Sequence, residues 1–297
     1  MNGGTVASQT FFNQLHPATL AGYFVALFTI LLLFNHLIVA GTLFVGIVGL
    51  NCWYFGWQRV KGLLAGTSVF MLTILLFNIL LNQRGNVLWQ ATLGPVTFRL
   101  TRSALLYGTT MAVMLGAMIL TFVLLNGSLT TPKISYLLFP VVPRLAMLLT
   151  ISMRLVTLFS QKFHRLMMLQ KTRGLVVTEG AWSQRIRKTG QLMRILLIDS
   201  ISSSMETAVL MEARGFGARR RSHYQTYHWR AADGWFLGSA LILFDVALWL
   251  RWSGWGWTTD VYQLSLGGTT DWLLAIPVLG LAGLPLLGEG VYHLWEN

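Results

Sequence analysis

Acidic residues are the scarcest chemistry in this chain: none occurs before Glu179, and the whole sequence of 297 residues holds only 10 Asp and Glu. A membrane enzyme acting on a lipid needs acids, bases or metal ligands that converge, and more than half of the chain supplies no carboxylate for that purpose. There is a single cysteine, Cys52, set in an apolar run. It excludes an internal disulfide framework and any multi-cysteine metal site, and its expected role is packing. No Lys, Arg, Asp or Glu occurs from Met1 to Gln58. The start therefore lacks the basic region of a secretory signal, and its apolar run continues far beyond a cleavable core. A phosphate-cradling Gly-x-x-x-x-Gly-Lys-Ser/Thr segment is also missing, so any ATP hydrolysis coupled to this chain belongs to another polypeptide.

What the chain has instead is apolar area. Hydrophobic residues make up 54% of it and charged residues 11%, with 12 Trp and 17 Phe, and the mean hydropathy is +0.59. Those values exclude a disordered or ordinary water-soluble chain. A membrane span needs ~20 predominantly apolar residues, and six runs meet that need: roughly 18–35 and 37–57, hinged near Asn35-His36, then 62–83, 103–132, 234–250 and 272–288. The expectation is an all-α integral membrane protein with four N-terminal and two C-terminal spans, resident in the plasma membrane. Arg59 and Lys61 lie between the second and third spans, and the main basic block follows the fourth. The bias of basic residues toward the inner face then puts the N-terminus and that block in the cytoplasm. Segment 84–102, with Arg84, Arg99 and Arg102, becomes an outer loop.

The charge is not spread evenly. Residues 133–230 carry 16 Lys and Arg against 4 Asp and Glu, while the rest carries 6 against 6, so this one stretch holds the whole excess of +12. Few Pro and Gly interrupt it, and apolar residues recur among the charges at helical spacing, which predicts long helices. Pro140 and Pro143 break the chain, and nothing then interrupts a helix from Arg144 to Arg173. On it Arg154 and Arg165 fall within roughly 20° of one face. A second helix is predicted from about Trp182 to Arg214, on the order of 50 Å long.

Both helices stop alike. Leu169-Gln170-Lys171-Thr172-Arg173-Gly174-Leu175 and Leu210-Met211-Glu212-Ala213-Arg214-Gly215-Phe216 align at an offset of 41 residues, sharing Leu, a small residue, Arg, Gly and an apolar residue. Gly just past a helix takes the left-handed conformation cheaply, and Arg there complements the negative end of the helix dipole. Each ending alone is an ordinary cap. Two copies in one basic region suggest slim helix tips, each with one long five-donor side chain able to enter a groove on a partner.

These residues carry a resemblance. Leu210 to Gly217, the basic run Arg219-Arg220-Arg221, then Tyr224 and Asp233, resemble the second coupling motif of the transmembrane T component of energy-coupling factor transporters. Gln170 to Gly174 is similar to the first, and Pro143 and Arg154 resemble the residues leading into it. The Asn78 to Gly85 segment also resembles the family, and the likeness covers roughly residues 65–250. Together with the charge-free runs and the basic block, it gives the expected organisation: N-terminal transmembrane helices over 1–132, a cytoplasmic region of crossing coupling helices over 133–230 and, from the runs alone, C-terminal membrane helices with a tail over 231–297. The resemblance further implies a scaffold without catalysis or cofactor, inserting its tips into two ATP-binding-cassette ATPases. A small membrane subunit that binds a vitamin or metal ion would pack beside it. Arg173 and Arg214 would be the ATPase contacts, with Thr172, Gly174, Ala213 and Gly215 shaping the tips. Gln170, Glu212, Arg219, Arg220 and Arg221 are secondary candidates. The Met- and Leu-rich faces, with Leu166, Met167, Met168, Met193, Leu196, Leu197, Met205 and Met211, would be an adaptable surface.

Other constellations are weaker. His223 and His228 with Tyr224 and Tyr227 lack the spacing and acidic company of a metal site. Asp245 is a carboxylate inside an apolar span, a functional candidate by default, with pairing to Arg251 or another buried arginine as the plainer expectation. Asn35, Asn51, Asn78 and Asn82 are expected to form helix–helix hydrogen bonds. The alternatives kept open are a membrane-embedded enzyme and a binder of anionic lipid through the basic block. The expected partners are the two ATPases, the small substrate-binding subunit and the bilayer, with no nucleic acid.

Overall fold

The computed structural model describes residues 11–82, 87–93, 96–172, 181–215, 227–254 and 271–296. The chain is overwhelmingly helical and splits into two compact units, one of 1–130 with 227–297 and the other of 131–226.

The first unit begins with a single turn, α1 (Phe11–Gln14), followed by α2 (Pro17–Leu33), α3 (Leu37–Phe55), α4 (Trp57–Leu81) and α5 (Arg102–Ser128). It closes with α9 (Ala231–Trp252) and α10 (Asp271–Glu296). Local chemistry sets the boundaries. Pro17 occupies the first turn of α2, where its missing N–H costs nothing, and His16 caps the helix by accepting from the Ala18 N–H at 3.2 Å. Gly56 ends α3 and starts α4 with φ at +78°, a left-handed backbone that a side chain would strain. The five longer helices here, α3, α4, α5, α9 and α10, are long and apolar enough to cross a membrane, whereas α2 is a shorter apolar helix of 17 residues. The expected outer loop 84–102 differs from its forecast: it holds an antiparallel hairpin of β1 (Val87–Leu93) and β2 (Val96–Thr101), with a bulge between Val87 and Trp89. Val, Thr, Trp and Phe fit a pleated surface, and a short two-stranded ribbon leaves the all-α architecture intact.

The core of this unit is aromatic and aliphatic, with Phe12, Tyr23, Phe24, Phe34, Leu43, Ile47 and Leu120 fully buried. α5 packs on α3 and α4, α10 on α3 and α9, and α2 on α9 and α5. Close approach is bought with small residues: a Cβ on Gly46 of α3 would stand 2.7 Å from the Ala282 Cβ of α10. Polar atoms bridge helices as well. The Tyr23 hydroxyl donates to the Leu281 carbonyl at 3.1 Å. Asn51 Nδ2 donates to Leu120 O at 3.3 Å while also bonding Ile47 O at 2.8 Å in its own helix. Of the four asparagines expected to join helices, Asn51 does so. The Oδ1 atoms of Asn35 and Asn78 are buried without a hydrogen-bond partner, and Asn82 takes part through its backbone carbonyl, which accepts from Thr101 Oγ1 at 3.5 Å.

Contacts at the helix ends fix the up-and-down order. Phe12 meets the rings of Tyr54 at the end of α3 and Phe236 at the start of α9, and the Tyr54 hydroxyl donates to Glu289 Oε2 near the end of α10 at 2.9 Å. Gly127, near the end of α5, lies against the Phe55 ring. The start of α2, the Gly56 turn with Arg59 and Lys61, the exit of α5 and the entry of α9 therefore share one end of the bundle. At the opposite end the Arg251 guanidinium lies 5.0 Å from the centre of the Phe34 ring.

The second unit holds α6 (Thr131–Leu138), α7 (Pro143–Thr172) and α8 (Trp182–Ala213). Pro143 again takes the first helical position, after a turn closed by Val142 N–H donating to Leu138 O at 2.8 Å. At 1.5 Å per residue, the 30 residues of α7 and 32 of α8 reach about 45 and 48 Å. α7 packs on α6 and α8, but few large side chains are enclosed: among the described residues the buried apolar ones here are Ala146, Leu192 and Leu196. Residues 143–169 also meet the length and apolarity criterion for a span, as the least apolar of six such helices.

Candidate functional site

The end of α8 is built by its own backbone. Arg214 is the C-cap residue, its N–H donating to Leu210 O at 3.1 Å, and the Gly215 N–H donates to Glu212 O at 2.9 Å. Gly215 sits at φ +74° with open space where a Cβ would go, so its requirement is conformational, as the αL ending of a helix demands. Ala213, Arg214 and Gly215 are exposed, as is Glu212. Ala213 and Gly215 flank the Arg214 side chain at this end.

The other repeat is visible up to its last helical turn. Gln170 and Thr172 lie in α7, and the Thr172 hydroxyl donates back to Leu169 O at 2.7 Å. Arg173 and Gly174 lie outside the described residues, as do Arg219, Arg220, Arg221, His223 and Tyr224.

One charged contact braces the two long helices. Lys162 Nζ of α7 lies 2.6 Å from Asp199 Oδ2 of α8. It stands ten residues before Thr172 and fourteen before Ala213, so the helices run on for about 15 and 21 Å beyond it. No local sequence signal marks this pair, because its members come from helices separated by 37 positions. The Met- and Leu-rich residues divide between two environments. Leu196 is packed inside, Leu166, Met167 and Met211 are half-buried, and Met168, Met193, Leu197 and Met205 are exposed.

A second cluster receives the chain where it re-enters the first unit. Asp233, 1% exposed, accepts the His16 N–H on Oδ1 at 2.7 Å and the Arg230 N–H on Oδ2 at 3.0 Å. The His16 ring stacks on Trp229 at 4.5 Å and meets Tyr227 edge-on at 6.4 Å. Arg230 Nη1 donates to Gln14 Oε1 at 3.3 Å. Burial holds the His16 imidazole below its usual pKa, with the Asp233 charge partly opposing that shift. This junction was legible only as a lone Asp233; its bond to His16 spans 217 positions.

Asp245 departs from its plainer expectation. It is exposed on α9 and forms no ion pair with Arg251, whose guanidinium is directed onto Phe34 instead. The two residues are six apart, which puts them roughly 120° apart around a helix and on different faces.

The family model described as cobalt transport protein, CbiQ, matches residues 14–224. Curated relatives that match carry the name energy-coupling factor transporter transmembrane protein EcfT. The relative from Bacillus subtilis is 27% identical over 222 residues, covering 71% of this chain and 82% of its own length. That from Listeria innocua is 34% identical over 111 residues, 37% of this chain and 42% of its own length. That from Streptococcus thermophilus is 31% identical over 170 residues, 53% of this chain and 62% of its own length. The last two matches thus span less than two thirds of the relative. With the matched region running from the first apolar helix through both arginine-bearing repeats, the chain belongs to the CbiQ family and is a multi-pass transmembrane T component of the energy-coupling factor transporter type.

Proposed function

We propose that this chain is the non-catalytic coupling subunit of an importer. Two ATP-binding-cassette ATPases would grip the tips at Arg173 and Arg214, and a small substrate-binding membrane subunit would lie against its apolar faces. The observation that carries the reading is the α8 ending, a guanidinium between Ala213 and a left-handed Gly215, exposed at the end of a 32-residue helix. Arginine suits such a contact because its planar five-donor head binds carboxylates and carbonyls in a fixed geometry. Residues 133–230 then form the coupling region, on the cytoplasmic side, with Thr172, Gly174 and Gly215 setting tip shape. Gln170, Glu212 and Arg219 to Arg221 flank the contact.

The mechanism follows from rigidity. When ATP draws two ATPase subunits together, helices held at their tips convert the approach into a change of crossing angle, which tilts the membrane-facing partner. The Lys162–Asp199 brace sits where the two levers meet, and the Asp233–His16 junction ties the return chain to α2 and α9. Exposed methionines suit a partner that moves, since thioethers repack readily. The cargo proposed is a vitamin or a transition-metal ion; the cobalt transport description of the family favours the metal.

The test is the pair Arg173→Ala with Arg214→Ala in the assembled complex. Uptake should be abolished and the ATPases should no longer co-purify, with expression and membrane insertion unchanged, since Arg214 is exposed and contributes nothing to the core. Unchanged uptake would overturn the coupling role.

A further inference from the structure

α9 carries a carboxylate where a membrane helix supports one least. Trp235 at its entry and Trp249 and Trp252 at its exit are 81%, 69% and 93% exposed, as tryptophans at the two membrane–water boundaries are. At 1.5 Å per residue, Asp245 stands about 15 Å beyond Trp235 and about 10 Å short of Trp252, close to the middle of the span. It is exposed, and among the described residues it has no hydrogen-bond or ion-pair partner. The buried side of α9 is marked by Phe236, Ala240 and Ala247. Taking 100° per residue, these lie roughly 140 to 180° around the helix from Asp245, which therefore faces away from the bundle. The short side chain does not reach the nearer boundary either, because its Cα–Cβ bond tilts toward the helix N-terminus, away from Trp252.

The face around Asp245 has room for a second helix. Gly234 and Gly238 fall within roughly 20° of it, and nothing stands within 4 Å of where a Cβ on either would be. Leu241, Ile242 and Trp249, all exposed, lie within roughly 60°. Ionisable groups at this depth are normally paired, yet the bundle offers no cation there. The Lys and Arg of its helices are Arg59, Lys61, Arg102 and Arg251, confined to the first five or last two residues of α4, α5 and α9, and none follows Arg251 in the sequence. A second copy's bundle would thus bring no positive charge to mid-depth. We propose that the Asp245 face of α9 seats a transmembrane helix of a different polypeptide, one whose own lysine or arginine at mid-depth pairs with this carboxylate. Charge complementarity selects that occupant over lipid tails, and the open glycines permit close approach. α9 lies beyond residues 14–224, which the family model matches, and the seat stands independently of any ATPase contact at Arg214.

The experiment places the photo-crosslinker benzoylphenylalanine at position 242 or 249 of the full chain in its native membrane, and sequences the crosslinked peptide by mass spectrometry. The expected product is a transmembrane peptide of another polypeptide with a Lys or Arg within two turns of the crosslinked residue. Its yield should be retained with Asp245→Glu and lost with Asp245→Leu, at equal amounts of chain in the membrane. Asp245→Lys should also lose it, and replacing the partner's cation by Asp in that background should restore it. Adducts to lipid alone overturn the proposal, as does a peptide of this same chain or a transmembrane peptide without a cation. A crosslink that survives Asp245→Leu overturns it too, since the contact would then not depend on charge.

Discussion

Replacing Asp233 by Ala tests whether the return from α8 into the membrane bundle is held by one carboxylate. The side chain is 1% exposed and accepts two backbone N–H groups, one on each oxygen. Removing it orphans the buried His16 donor, at about 1–3 kcal/mol, and breaks the cap at the start of α9, at about 1 kcal/mol. The sum, about 2–4 kcal/mol, corresponds to a fall in midpoint of roughly 5–15 °C at about 2–4 °C per kcal/mol for a bundle of this size. Asp233→Asn keeps one acceptor oxygen and should lose about half as much. Purified protein in detergent, heated in steps and assayed by size-exclusion fluorescence for what remains monodisperse, gives the midpoints. An Ala variant within 2 °C of the parent would refute the argument, and so would an Asn variant as damaged as Ala, since the loss would then not follow the number of acceptors.

The remaining expectations concern packing, pH and the brace. Gly46→Ala pushes a methyl into Ala282, whose Cβ cannot swing away, and should cost about 1–3 kcal/mol, read as a lower midpoint in the same assay. His16 is held below its usual pKa of 6.5 by burial, so the unfolded chain takes up this proton first. Stability should be full above about pH 6.5 and decline as pH falls through the window below it. His16→Gln should flatten that decline in midpoints measured from pH 7.5 to 5. The Lys162–Asp199 pair is 36% and 56% exposed and contributes at most about 1 kcal/mol. Lys162→Asp should therefore barely move the midpoint yet lower uptake, and adding Asp199→Lys should restore it; a double variant no better than the single would exclude a brace.

How much was legible in the amino-acid order differs between elements for a physical reason. Charge-free runs and helical periodicity are local, and the forecasts of 37–57 and of Trp182 to Arg214 lie within a few residues of α3 and α8. Pro143 opens α7 and Gly215 closes α8 because backbone sterics act within a turn. The hairpin between α4 and α5 escaped because its β-branched and aromatic residues read equally well as loop. Asp245 shows the same limit: nearness in sequence suggested Arg251, but six residues of helix separate their faces.

The order of residues by itself determined that this chain is a helical membrane protein, placed α3 and α8 to within a few residues, and showed that two arginine-bearing endings repeat, since hydrophobic length, capping and charge are properties of neighbouring residues. Tertiary structure alone decided that His16 meets Asp233, that Tyr54 meets Glu289 and that Lys162 braces Asp199. Such pairs are chosen by which helices pack together, and packing depends on the shape of every side chain between them.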